Sequence, residues 1–350
     1  MTKVYFEHGK YVRQEGDGRV SYNGITLRLD HNDFMLFGDL RSNIHVHRGS
    51  LDAKDATITN SSVRLFSSKA ENINDAFKIR LWKNSSISNS STNELETTGG
   101  NNTIEGIVSA KVVKFDENTT LSIAKDGVLK VPDKNALNFS KISGNGKIYG
   151  QKQHTYYDTN NKVLEYDTNI DLSTLNNGDG NEAFSFDGTK LVLNKGYEFN
   201  LTGDKPAFIV NNGVILKADI NGPKLVSISG SGSIKELHLS ANARFSINSD
   251  FGNAVIEKGS VLTLFKPVDF KNISGDGFVN INGTIYDTDG HALNNANSSL
   301  VASIKEHSFA VTKAIEKAKD KKDAYVNVDD QQNTDVALLN IEMINNDNLL

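Results

Sequence analysis

The 350-residue chain contains no cysteine, which excludes disulfides, thiolate metal sites and a cysteine nucleophile. Only four prolines are present. No apolar run approaches the roughly 20 residues that a membrane span requires, so membrane insertion of this segment is not expected. The opening stretch "MTKVYFEHGKYVRQEG" lacks the apolar core of a signal peptide. This leaves three origins: a cytosolic protein, one exported by another route, or a segment of a longer exported chain. Basic residues are outnumbered, 38 to 43, for a net charge of -5, so there is no electrostatic case for nucleic acid or an anionic membrane as partner.

Asn, Ser, Thr and Gly fill the remainder. Asn and Gly tolerate the positive φ of tight turns, so this composition suits many short strands joined by corners. Strands of three to five alternating residues recur throughout: "ITLRL" (25–29), "NIHVH" (43–47), "VRLF" (63–66), "KIRLW" (78–82), "VVKF" (112–115) and "LHLSANARFSI" (237–247). Period-two alternation over such lengths predicts strand.

Two words repeat in constant order. An Ile-Ser-Gly-x-Gly word places its isoleucine at Ile142, Ile228 and Ile273, separated by 86 and 45 residues. A glycine-turn word, "IAKDGVLKV", "IVNNGVILKA" and "IEKGSVLTLF", places Gly127, Gly213 and Gly259 at 15, 15 and 14 residues before it. The spacing suggests a unit of about 43 residues, which would suit two coils of a β-helix or one propeller blade. Loose inserts such as 150–169 favour the β-helix, where they read as loops off one corner. The expected fold is all-β: a right-handed parallel β-helix over 1–297, irregular in its N-terminal coils and clearest at 100–290. Residues 298–350 are expected to form a helical cap and tail. There Ser298 or Ser299 caps a helix carrying Leu300, Ile304, Val311 and Ile315 on one stripe, and "KAKDKK" (317–322) reads as its solvated end.

The words "ISGSGSI", "GSVLTL" and "GVLKV" resemble the strand-rich repeats of bacterial autotransporter and two-partner-secretion passengers. The likeness covers roughly residues 100–290. It implies a β-helical adhesin displayed outside the cell, whose partner is a host or bacterial surface glycan or protein. The chain departs from the complete pattern in showing neither a signal peptide nor a translocator barrel.

Candidate chemistry is sparse, and no residue is assigned as catalytic, cofactor-binding or metal-ligating. His45 and His47 share one strand face at a spacing that a metal could use, but two histidines on a polar face opposite Ile44 and Val46 is the simpler reading. Asp30, His31 and Asp33 read as a turn whose carboxylates bond their own backbone. A β-helical polysaccharide-cleaving enzyme of the tailspike or lyase kind needs clustered acids. Asp158, Asp167, Asp171 and Asp187 are the candidates, with Tyr156 and Tyr157 to stack on a sugar. An injected effector that uses the solenoid as an interaction platform is a further alternative. Asn-x-Ser/Thr triplets at Asn60, Asn84, Asn89, Asn118, Asn200 and Asn282 read either as glycosylation acceptors or as a polar corner ladder. The glycine words precede strands, not helices, so they do not form a phosphate loop.

Overall fold

The computed structural model describes residues 1–293 apart from 59, 204–206, 212, 222–224, 241–243, 248–249 and 265. The expected helix and tail at 298–350 lie outside the described residues. The chain is nearly all β, with coils stacked in parallel into a β-solenoid of about 13 turns. It divides into two compact units, Met1–Tyr166 and Asp167–Leu350. Each unit is built from two sheets, nine- and eleven-stranded in the first and six- and eight-stranded in the second.

Each coil contributes one strand to each sheet, and alternation sends every second side chain inward. In the first unit one inward column runs Leu27, Ile44, Val63, Ile79 and Leu95, paired rung by rung. All five are essentially inaccessible to solvent. Facing it, Leu51, Ala70, Ile87, Ile104 and Ile123 stack on the other sheet, again buried. Truncating one such aliphatic to alanine would cost about 2–5 kcal/mol. The N-terminal coils pair in the same parallel ladders as the later ones, with a register shift between Met35 and Phe37.

The structural repeat is one coil, of 16 residues (Val63 to Ile79) to 21 (Val108 to Leu129) where no insert intervenes and of 31 or 32 in the first coil of each unit (Asn169 to Asn200, Thr2 to Phe34), not the 43-residue unit suggested by the words. Ile228 and Ile273 lie on opposite sheets of the second unit, so the 45 residues between them carry the chain through two and a half coils. What the words share is a corner. Gly144, Gly230 and Gly275 all have φ between 101° and 107°. A Cβ there would stand 2.2–2.3 Å from a carbonyl oxygen of the coil below, that of Ile123, Asn211 and Ile256 respectively. The glycine-turn word is the same corner one coil earlier, since Lys147 N and Ser233 N donate to the carbonyls of Gly127 and Gly213 at 2.9 Å. The constant phase of the two words is therefore the length of one coil less the offset between them.

Other corners use asparagine. Asn60, Asn72, Asn84 and Asn89 adopt positive φ there, as does Asn282 in a hairpin turn, a conformation that Asn tolerates better than other non-glycine residues. The corner side chains bond mainly to backbone across coils: Asn84 Oδ1 accepts from Asn101 N at 2.9 Å and Asn102 Oδ1 from Ser85 N at 3.0 Å. An Asn–Asn contact also occurs, from Asn200 Nδ2 to Asn169 Oδ1 at 3.2 Å.

Antiparallel hairpins close the described ends. Residues 150–166 are not a loop off a corner. The strands Thr155–Tyr157 and Val163–Tyr166 fold back onto Lys147–Gly150 and end the eleven-stranded sheet. The second unit repeats this device with Phe278–Ile281 and Thr284–Asp287. In both, a threonine hydroxyl in the hairpin donates to the carbonyl of the corner glycine, Thr159 to Gly144 and Thr288 to Gly275. The preceding aspartates, Asp158 and Asp287, each accept two backbone N–H bonds from the turn that follows. A terminal coil exposes unpaired backbone groups, and a hairpin that turns back covers them.

These corners make a graded prediction. Gly144→Ala combines forbidden φ with a clash against Ile123 O and is expected to cost at least about 2 kcal/mol. Gly24→Ala, at φ +87° with nothing within 4 Å, is expected to cost only about 1 kcal/mol. Scanning calorimetry should show the larger fall in melting temperature for Gly144→Ala; equal shifts would refute the steric account of the corner.

Candidate binding groove

Four consecutive strands on the eleven-stranded sheet carry one tetrad: Leu27-Arg28-Leu29-Asp30, Ile44-His45-Val46-His47, Val63-Arg64-Leu65-Phe66 and Ile79-Arg80-Leu81-Trp82. Inward residues are aliphatic; outward residues form two columns. Register places Arg28, His45, Arg64 and Arg80 in one, and Asp30, His47, Phe66 and Trp82 in the other. Neighbouring rungs lie about 4.8 Å apart. Together with Gln14 and with Arg19 and Ser21 from the antiparallel strand Arg19–Tyr22, the first column as far as Arg64 and the whole second column line a groove of about 690 Å³.

The charge along the first column is uneven. Arg80 donates to Glu96 at 2.7 Å, and farther along the sheet Lys78, Glu94, Glu96 and Lys114 neutralise one another in a network. Arg28 and Arg64 have no carboxylate partner among the described residues. His45 sits between these two arginines. Burial, followed by the charges of Arg64 and Arg28, holds its imidazole below the usual histidine pKa. A neutral ring between two guanidiniums avoids three adjacent like charges and leaves the groove floor cationic at neutral pH.

The second column is aromatic. His47 packs against Phe66 at a centroid distance of 4.7 Å, and Phe66 meets Trp82 edge-on at 5.1 Å. At its head Asp30 Oδ1 receives Nδ1 of both His31, at 2.6 Å, and His47, at 2.8 Å. The His47 hydrogen bond is the foremost influence holding the Asp30 carboxyl below the usual carboxylate range.

The sequence candidates are redistributed. His45 and His47 share a face as expected, yet His47 joins Asp30 and His31, while His45 joins the arginines. Asp33 accepts from Ser50 Oγ at 2.6 Å. Tyr157 is buried in the core and has no face to offer a sugar. Tyr156 stays on the surface against Tyr149, with centroids 4.7 Å apart. Asp158, Asp167, Asp171 and Asp187 each accept backbone N–H groups of their own turns, and the first lies in a different unit from the other three. The cationic groove is not visible in any one tetrad, because each strand contributes a single arginine or histidine to the first column. Aligning them at the coil period brings Arg28, His45, Arg64 and Arg80 into one column.

The perturbed His45 is directly testable. Its folded pKa lies below the unfolded value of about 6.5, so its neutral form favours folding, and that contribution falls away as pH drops through 6.5 toward the folded value. An NMR titration should place the His45 midpoint below 6.5, and Arg64→Ser should raise it only in part, because burial is the larger cause. A midpoint at or above 6.5 would refute this environment.

No protein-family model, no curated protein and no solved structure matches the chain, so the groove stands on its own geometry.

Proposed function

We propose that this protein is an adhesive, non-catalytic β-solenoid of a bacterial surface or secreted protein, and that it attaches to an acidic surface glycan through the groove of its first unit. The observation that carries this reading is the in-register column Arg28–His45–Arg64 beside the aromatic column Phe66–Trp82. Guanidinium groups grip carboxylates and sulfates in bidentate fashion, while aromatic rings provide flat apolar faces against which a sugar ring packs. Arg28 and Arg64 stand two rungs apart, about 9.6 Å, a separation that suits successive charged groups along an extended chain.

The chain as a whole bears a net charge of -5, so attraction of a polyanion is local to this face. A binding role is favoured over a cleaving one by the acids at 158–187, whose carboxylates are engaged in turns instead of converging on a solvent face. Rigidity suits the same role: a groove built on paired strands holds its cations in place before the ligand arrives, which lowers the ordering cost of binding.

The test uses an array of uronate-containing, sulfated and neutral oligosaccharides, followed by titration of the best ligand. Binding should favour acidic members and weaken as salt rises, and Arg28→Ser, Arg64→Ser and Trp82→Ala should each lower affinity at least tenfold. Uniform binding to neutral and acidic sugars, or unchanged affinity in the Arg64→Ser variant, would sink the proposal.

A further inference from the structure

We infer that Asp30, His31 and His47 form a binding site for a divalent transition metal of the zinc, nickel or copper kind, at the rim of the groove. The three side chains come from two consecutive coils, and their ligand atoms all lie within 4.8 Å of one another. Both imidazoles direct Nδ1 at the same carboxylate oxygen, at 2.6 and 2.8 Å. Two imidazoles and a carboxylate are a donor set for borderline metals, while magnesium and calcium prefer oxygen ligands alone.

The geometry needs little adjustment. A tetrahedral zinc ion with bonds of about 2.1 Å holds its ligand atoms about 3.4 Å apart, so the two contacts open by roughly 0.6–0.8 Å as the ion displaces the Nδ1 protons of the hydrogen bonds and each neutral ring carries its proton on Nε2 instead. The side chains are between one third and one half exposed and have room for that movement. The backbone beneath them does not move: His31 N donates to the carbonyl of His47 at 3.0 Å, and His47 is braced by Phe66. Three protein ligands leave a coordination position open. Asp30 and His47 also line the groove, so that position borders on it.

The Asp30 carboxylate differs from the turn aspartates, because among the described residues its oxygens accept from imidazoles and from no backbone N–H. A second cluster, Asp287, Asp289 and His291, lacks this freedom. Asp287 Oδ1 already accepts the backbone N–H groups of Asp289 and His291. The matching hairpin of the first unit builds the same turn with Asn160 and Lys162, so that arrangement is accounted for by the turn alone.

The experiment is isothermal titration of the tag-free full chain with zinc chloride in a non-chelating buffer, without any glycan present, so that its outcome is independent of the adhesive reading. One zinc should bind per chain at this site, and His47→Ala and Asp30→Asn should each weaken it at least tenfold. His31→Asn, which keeps a residue that tolerates the φ of +56°, should do the same. His291→Ala should leave it unchanged, and excess magnesium should not compete. Copper(II) bound in place of zinc should show two-nitrogen hyperfine coupling in its electron paramagnetic resonance spectrum. Circular dichroism of each variant separates loss of the site from loss of the fold. Absence of zinc binding, or equal binding by folded His31→Asn and His47→Ala variants, or its loss in His291→Ala, would overturn the inference.

Discussion

The parallel hydrogen-bond ladder between successive coils is the constraint on which everything else depends. It sets each residue directly above its counterpart, about 4.8 Å away, and so converts every position of a coil into a column. Inward columns become the core, as with Leu27, Ile44, Val63, Ile79 and Leu95. At some corners, as at Gly144, Gly230 and Gly275, a Cβ would meet the carbonyl of the neighbouring coil, and there only glycine fits. The same spacing that makes the stack rigid therefore dictates where side chains are forbidden.

Outward columns obey electrostatics more than packing. Like charges at one rung's separation repel, and the molecule resolves this in two ways along a single sheet. From Lys78 to Lys114 acids and bases interleave and neutralise one another. From Arg28 to Arg64 the intervening rung is a partly buried histidine held toward its neutral form. The first solution yields a passive surface, whereas the second leaves uncompensated cations beside a run of aromatic rings. That contrast locates the candidate binding function at one end of the first unit.

A stack of identical rungs has no intrinsic end, and its last strand would invite pairing with another chain. Both units solve this by reversing direction. A hairpin folds onto the final strand and is tied to the corner glycine by a threonine hydroxyl, with an aspartate organising the turn. The recurrence of this hairpin at Asp158 and Asp287 ends the eleven-stranded sheet of the first unit and, among the described residues, the eight-stranded sheet of the second, and explains why the "YDT" words at 157–159 and 286–288 echo one another.

Much of the architecture was legible in the sequence, because alternation and glycine placement are local properties. Strands such as Asn43–His47, the buried isoleucines of the Ile-Ser-Gly words and the corner role of their glycines follow from neighbours in the chain. Coil length, sheet assignment and the capping hairpins do not, since corners absorb varying numbers of residues and the two sheets use the same turn. The candidate sites are less legible still. His47 meets Asp30 and His31 across 16 or 17 residues, and Arg28 reaches the arginine column only through two successive registers. By itself the sequence determined what each strand buries and where the chain must turn. Only the tertiary structure decided which outward residues stand in one column, because register between coils is set by the long-range backbone ladder.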